Sequence, residues 1–135
     1  MNESHHEGEP ARPVVRSPSD LIEPPEQQTP ALRRQQAFAA DDRWVGYVTT
    51  QPGAWSGWHH HGETDTYLYV MAGELEFEFG PDRERVRFAR GDFAHMPRRL
   101  VHRERTLPGI PGEVVLVRIG SGPTVINVEE PDQPD

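Results

Sequence analysis

Polar and apolar residues alternate most regularly in the segment 74–79, which reads Glu-Leu-Glu-Phe-Glu-Phe. A period of two is typical of a β-strand with one buried face. Turn residues at 80–82 and a second alternating run at 83–88 predict that the segment forms a β-hairpin. The face expected in the core carries Leu75, Phe77, Phe79, Val86 and Phe88. The opposite face, expected to meet solvent and to fix the register through ion pairs, carries Glu74, Glu76, Glu78, Arg85 and Arg87.

Short runs rich in Val, Tyr, Phe and Thr recur along the rest of the chain, separated by glycine and proline. Such runs are typical of the strands of an all-β domain. They predict strands at 31–39, 44–50, 55–61, 66–71, 93–96, 101–106, 114–119 and 124–128. The first of them is also compatible with a helical turn, and no other segment indicates a helix. Because so many short strands would leave exposed edges in an open sheet, we expect a barrel or a double-sheet jelly roll.

Proline and net charge concentrate at the two ends of the sequence. Residues 1–30 hold six of the 14 prolines and six acidic residues against two arginines, and residues 129–135 hold four acidic residues and no base. We therefore predict a flexible, proline-rich N-terminal arm at 1–30, one β-barrel domain at 31–128 and an acidic disordered tail at 129–135. Two apolar patches in the arm, 13–16 and 21–22, can lie on the domain as an added strand or belong to a solvated linker.

The composition excludes several functions. Residues 31–128 balance 12 acidic residues against 12 arginines, so no net basic face indicates a nucleic-acid partner. The sequence has no cysteine and no lysine, which excludes disulfides, iron–sulfur clusters, thiol nucleophiles and imine chemistry on lysine. The longest apolar run, 114–117, is far shorter than the roughly 20 residues that cross a bilayer. The first ten residues do not resemble a secretion signal, so we expect a cytoplasmic protein without a membrane partner.

Candidate chemistry is concentrated directly after Trp58, where three consecutive histidines precede a glycine and two acidic residues. In a strand, His59 and His61 share one face while His60 points to the other. Two imidazoles spaced in this way can hold one metal ion, and the following turn can add a carboxylate. A polar, histidine-rich surface loop is the alternative interpretation of this segment alone.

The flanking residues extend this pattern into two motifs. The segment 53–73 resembles the first motif of the cupin superfamily, G-x5-H-x-H-x(3,4)-E-x6-G, with His59 and His61 at the histidine positions. The segment 91–106 resembles the second motif, G-x5-P-x-G-x2-H-x3-N, with glycine, proline and His102 at the matching offsets. Two matches in the proper order indicate a small single-domain cupin, of the cupin 2 type with a conserved barrel.

The resemblance implies a jelly-roll β-barrel that holds one divalent metal ion per chain, most plausibly iron, with manganese, zinc, nickel and copper as alternatives. Carried over to this sequence, its ligands are His59, His61, His102 and an acid. The acid departs from the motif, because Thr66 stands six residues before the closing glycine and Asp65 stands one residue earlier. Three alternatives stay open for the fourth ligand. It is Asp65 brought inward by a bulge, it is Glu63, or the site has no carboxylate.

The second motif departs from the pattern at Arg99, which replaces a glycine, and at Thr106, which replaces the asparagine. Alternation in this segment places His102, Glu104 and Thr106 on one face of a strand. An unpaired carboxylate on an interior face is costly, so Glu104 needs a partner there. We expect it to orient a ligand imidazole or to carry a proton as the catalytic residue, with a structural ion pair as the alternative.

Four residues are candidates for the wall of a substrate pocket, Trp55, Tyr67, Tyr69 and His95. The aromatic side chains suit a small apolar or aromatic molecule, although core or dimer-interface positions are the alternative. We expect a metal-dependent enzyme acting on such a molecule, most plausibly a mononuclear dioxygenase. A metal-dependent isomerase, cyclase or lyase, or a non-catalytic binding or sensing module, are the alternatives. The resemblance also implies a homodimer.

Overall fold

The computed structural model describes residues 11–131, which are built almost entirely from strands. The ten strands are β1 Leu32–Ala40, β2 Arg43–Thr50, β3 His59–His60, β4 Asp65–Ala72, β5 Glu74–Phe79, β6 Glu84–Ala89, β7 Phe93–Met96, β8 His102–Thr106, β9 Gly112–Ile119 and β10 Ile126–Asn127. Two 3-10 turns, Pro18–Asp20 and Pro25–Gln27, precede them. No α-helix occurs within residues 11–131, and hence none there that could span a membrane. The all-β prediction is confirmed.

The strands pair antiparallel in two five-stranded sheets. The first sheet has the order β1-β2-β9-β4-β7, and the second has the order β10-β3-β8-β5-β6. The apolar core takes side chains from both sheets, among them Val48, Leu68, Val114, Leu75 and Phe77. The sheets therefore pack face to face, which is the predicted jelly-roll arrangement.

The inner faces of the strands change from apolar to polar along their length. In β9 the buried side chains are Val114, Leu116 and Arg118, and Arg118 lies opposite Thr66 of the neighbouring β4. In the second sheet, β8 buries His102, Glu104 and Thr106, as its alternation predicts. The interior thus joins an apolar core to a buried cluster of polar groups.

The predicted hairpin forms from β5 and β6, but two details of its faces differ from the prediction. Val86 is 49% exposed because β6 is the edge strand of its sheet, so nothing covers this side chain. Glu76 and Glu78 lie opposite Arg87 and Arg85 as expected, yet both glutamates are only 2% exposed. Long arginine side chains on both flanking strands cover them, so the outer face of β5 is not a solvated surface.

These buried glutamates belong to a cluster that we call the arginine layer, formed by Glu76, Glu78, Arg85, Arg87, Arg103, Arg105 and Trp55. Glu76 binds Arg87 at 3.1 Å and Arg105 at 3.0 Å. Glu78 binds Arg85 at 2.7 Å and Arg103 at 2.9 Å. The guanidinium of Arg103 also stacks on Trp55, 4.2 Å from the ring centroid. Each glutamate therefore accepts a hydrogen bond from one arginine of β6 and from one arginine of β8.

Two predicted strands are shorter than expected. Only His59–His60 of the predicted strand 55–61 and only Ile126–Asn127 of the predicted strand 124–128 have regular pairing. The chain before His59 instead runs beside β8 through single contacts, such as the Ser56 amide that donates to the carbonyl of Glu104 at 2.8 Å. Isolated contacts of this kind satisfy backbone groups without extending a ladder.

The described part of the N-terminal arm lies along β1. Ile22 and Gln36 exchange two backbone hydrogen bonds, of 3.1 and 2.6 Å, so the patch around residue 22 adds a short bridge to the sheet. Gln27 and Thr29 are buried, and both accept hydrogen bonds from Arg34. Residues 1–10 and 132–135, which carry the ends of the predicted arm and tail, lie outside the described residues. The three-part division of the chain stays a prediction.

Candidate metal centre

Three histidines from two parts of the sequence meet inside the fold. His59 lies in β3 and pairs in register with His102 of β8, while His61 follows β3 directly. All three are buried, with exposures of 0%, 0% and 3% for His59, His102 and His61. Each offers one ring nitrogen, and these nitrogens lie within 4.8 Å of one another. The three imidazoles could therefore hold one metal ion.

Backbone carbonyls fix the tautomer of each ring. Nδ1 of His59 lies 2.8 Å from the carbonyl oxygen of Gly57, that of His61 lies 2.7 Å from Thr124, and that of His102 lies 2.8 Å from Leu100. A carbonyl oxygen only accepts hydrogen bonds, so each Nδ1 carries the proton and donates it. In each neutral ring Nε2 then keeps a lone pair, the arrangement that orients a histidine toward a metal.

The surroundings keep the rings of His61 and His102 neutral. Burial, and after it the positive charge of Arg118, holds the pKa of His61 well below its usual range. Burial and the neighbouring His59 lower the pKa of His102 to about 3. Nε2 of His102 is buried and has no hydrogen-bond partner among the described residues. An unpartnered lone pair in the interior is costly, and a divalent cation bound by imidazole nitrogen removes that cost.

Glu104 lies beside this cluster, on the inner face of β8. Its Oε1 is 3.5 Å from Nε2 of His59 and 3.7 Å from the guanidinium of Arg34. Burial by itself raises the pKa of the Glu104 carboxyl, but the contact with His59 and the positive charges around it outweigh burial and lower the pKa to about 2. A carboxylate facing an imidazole lone pair is repelled unless a proton or a cation lies between them. The guanidinium of Arg34 supplies such a cation, because its NH2 group lies 3.4 Å from Nε2 of His59 and 3.7 Å from Oε1 of Glu104.

The predicted carboxylate ligands lie elsewhere. Asp65 binds His95 at 3.0 Å and Arg98 at 2.9 Å, on the outer side of β4. Glu63 is exposed and forms an ion pair with Arg99. Because β4 begins at Asp65 without a bulge there, alternation turns Thr66 inward and Asp65 outward. The structure therefore does not bring Asp65 to the histidines, and the described cluster includes no carboxylate from the first motif.

The predicted pocket residues are not in the interior either. Tyr67 and Tyr69 project from the outer face of β4, 49% and 38% exposed, and Tyr67 stacks on His95. Trp55 lies against the arginine layer. Residues 67 and 69 are out of phase with the buried positions of β4, so their side chains face away from the core. The homodimer implied by the resemblance stays a prediction.

The interior cavity beside the histidines has a different lining. Its walls are largely apolar, and its polar groups are the side chains of His61, His102, Glu104, Arg34, Arg118, Thr50 and Thr66. Both arginines are interior residues that the sequence motifs do not indicate, and both are only 1% exposed. The signal was present for Arg118, which continues the inward phase of Val114 and Leu116.

Solved structures with the same fold come from proteins of different activities. A protein with a double-stranded β-helix domain from Klebsiella pneumoniae is 19% identical, with a TM-score of 0.67 over 88% of this chain and 100% of that one. The polyketide cyclase RemF from Streptomyces resistomycificus is 21% identical, with a TM-score of 0.67 over 92% of this chain and 89% of that one. The oxalate decarboxylase of Lactobacillus farciminis, solved as a formate complex, is 18% identical, with a TM-score of 0.66 over 82% of this chain and 34% of that one.

At these identities the likeness establishes the fold and not the reaction. No curated protein sequence matches the chain. The sequence model of the family described as Cupin domain matches residues 46–118, which contain both histidine segments. Since this match spans more than half of the sequence, the chain belongs to the cupin family.

Proposed function

We propose that the protein is a metal-dependent enzyme acting on a small organic molecule held between its two sheets. The observation that carries the proposal is the set of three buried imidazoles with fixed tautomers beside an interior cavity. His59, His61 and His102 hold the ion. When bound, it supplies a Lewis acid, or a redox centre if the metal is iron.

The residues around the histidines have separate roles in this proposal. Glu104 is ionised at neutral pH and accepts a proton at its carboxylate oxygen, which faces the cluster at 3.5 Å from His59, before it passes that proton on. Arg34 keeps that carboxylate in place, and is itself held by the Gln27 carbonyl at 2.8 Å and the Thr29 hydroxyl at 2.9 Å. The apolar walls of the cavity exclude water from the reacting molecule.

Two reaction types are compatible with these groups. A mononuclear dioxygenase is supported by the small number of protein ligands, because three imidazoles leave coordination positions open. A non-redox isomerase, cyclase or lyase is supported by Glu104, because such reactions move a proton and need a buried acid or base. Oxygen consumption with a panel of phenols, diketones and thiols separates the two types.

The test of the metal centre is elemental analysis of untagged protein. We expect about one transition-metal ion per chain, and its loss in the double variant His59→Ala, His102→Ala. The matched control is His60→Ala, because His60 lies between two of the ligands in sequence but outside the cluster. A stoichiometric ion retained by the double variant would show that the site has been placed wrongly. A protein that binds metal but turns over no compound of any panel favours the binding or sensing module.

A further inference from the structure

The interior cavity carries an unbalanced positive charge. Arg34 and Arg118 both line it, and Glu104 is the only acidic residue in its described lining. One guanidinium is therefore left without an anionic counterpart, and a bound divalent cation would increase the excess.

The two arginines differ in how fully they are bound. Arg34 donates to the carbonyl of Gln27 and the hydroxyl of Thr29, and it lies 3.7 Å from Glu104. Arg118 donates from Nε to the hydroxyl of Thr66 at 3.2 Å and lies on the ring of Trp44, 5.0 Å from the centroid. The NH1 group of Arg118 is buried without a hydrogen-bond partner anywhere in residues 11–131. Arg34 also has one unpartnered nitrogen, its Nε, but its terminal nitrogens face Gln27, Thr29 and Glu104, whereas a terminal nitrogen of Arg118 is free.

The neighbour of Arg118 explains why this capacity is free. Thr66 lies directly opposite Arg118 in the pairing of β4 with β9, and its side chain also faces the interior. It occupies the position where the first motif has its glutamate, six residues before Gly73. A glutamate there would face the guanidinium, whereas threonine offers one hydroxyl. Arg118 therefore has no carboxylate partner on the neighbouring strand.

We propose that Arg118 binds the carboxylate group of a small organic acid, whose apolar part packs against Leu68, Met96 and Leu116. Arginine suits this role because its planar donors match a carboxylate, and a buried site strengthens the interaction. All three apolar side chains line the same cavity as Arg118. The inference rests on the proposed function in one respect: it identifies organic carboxylates as the substrate class of that enzyme.

The experiment is calorimetric titration of the full-length protein with acetate and propionate, each compared with its uncharged amide. We expect each carboxylate to bind at least ten-fold more tightly than its amide, in metal-loaded and in chelator-treated protein. Arg118→Met should abolish this preference. Arg90→Met is the matched control, because Arg90 is exposed and does not line the cavity.

A second variant keeps the test valid if Arg118→Met does not fold. Thr66→Glu retains Arg118 and, in chelator-treated protein, gives it an internal carboxylate, so the chelator-treated variant should lose carboxylate binding at least ten-fold while its circular dichroism spectrum is unchanged. If either folded variant binds the carboxylates as the parent does, the inference is overturned. The inference is also overturned if the parent does not distinguish carboxylates from amides.

Metal analysis of the same samples separates this result from the proposed function. Stoichiometric metal without carboxylate binding overturns the inference and leaves the metal centre intact. Carboxylate binding that depends on Arg118 in a protein that takes up no metal supports the anion site and overturns the proposed metal-dependent enzyme.

Discussion

Two regions of the molecule bury charge, and they do so in opposite ways. In the arginine layer, Glu76 and Glu78 each accept hydrogen bonds from two arginines, and none of these side chains has a buried polar atom without a partner. In the interior cavity, Arg34, His102 and Arg118 each have one buried side-chain nitrogen without a hydrogen-bond partner. These three atoms account for most of the five unpartnered buried side-chain atoms within residues 11–131, and all three residues line the same cavity.

This difference in hydrogen bonding indicates a structural role for the arginine layer and a ligand-binding role for the interior cavity. Charges that satisfy each other hold two strands in register and have no capacity left for a ligand. Charges and lone pairs that remain unsatisfied destabilise the fold, so their presence indicates that something else completes them. Burial alone does not distinguish the two regions, because Glu78 and Arg118 are almost equally inaccessible to water.

The largest effect we expect comes from breaking the interior. His102→Ala removes one of three nitrogen donors, and loss of an outer-shell contact alone weakens metal binding by about 10- to 100-fold. The variant should therefore retain less than about a tenth of the parent's metal after dialysis. Elemental analysis of the folded fraction measures this. Metal content equal to the parent's would place the ion away from His102.

A smaller effect, of a different kind, is expected in the arginine layer. Glu78→Ala removes charge-assisted hydrogen bonds to Arg85 and Arg103 and should lower the free energy of unfolding by about 2 kcal/mol. Metal content should not change, because Glu78 lies outside the histidine cluster. Urea denaturation and elemental analysis of the same sample test both statements. A variant that loses metal but not stability would reverse the assignment of the two regions.

Acid should weaken the arginine layer gradually. Burial by itself raises the pKa values of Glu76 and Glu78, but hydrogen bonds from the surrounding arginines outweigh it and lower them from the ordinary value of 4.5. A lowered carboxyl pKa stabilises the fold fully above the unfolded value and loses that effect as pH falls through the folded value. The urea concentration at the unfolding midpoint should decrease as the pH is lowered below 4.5. The decrease should be less steep in the double variant Glu76→Gln, Glu78→Gln. If the urea midpoint depends on pH equally steeply in parent and variant, these two glutamates do not stabilise the fold in this way.

The smallest effect is expected at Asp65. Its carboxylate binds His95 and Arg98 on the outer side, so Asp65→Asn should leave the metal content unchanged. Elemental analysis of Asp65→Asn and His102→Ala, prepared in parallel, compares the metal content of the two variants directly. Metal loss in Asp65→Asn would mean that the carboxylate moves inward when the ion binds.

Much of the fold could be predicted because alternation is a local property. The hairpin of β5 and β6, the inward phase of His102 and Glu104, and the all-β class follow from it. The burial of Glu76 could not be predicted in this way, because it depends on arginines from β8 that are distant in sequence. Likewise, the shortening of β3 depends on where the preceding chain runs beside β8.

The histidine cluster could be predicted because its spacing matches two motifs, whereas the acid and the pocket could not. A shift of one residue exchanges the two faces of a strand, and this shift separates Asp65 from Thr66. Arg118 was missed because an arginine in a half-buried strand is most often found on the solvent side. Alternation with Val114 and Leu116 indicates its inward face, but the polar cavity that accommodates an arginine there is formed by both sheets and is not a local property.

Because Trp44 stacks on Arg118, its fluorescence can report on the charge of that cavity residue. The chain has three tryptophans, of which Trp55 lies in the arginine layer and Trp58 contacts Arg83 and Arg103 on the same outer face. Only Trp44 has its indole against a guanidinium that lines the interior. In a protein that retains Trp44 and has phenylalanine at the other two positions, the tryptophan emission would come from the edge of the interior cavity alone. Binding of an anion to the Arg118 guanidinium could then be followed by fluorescence in real time.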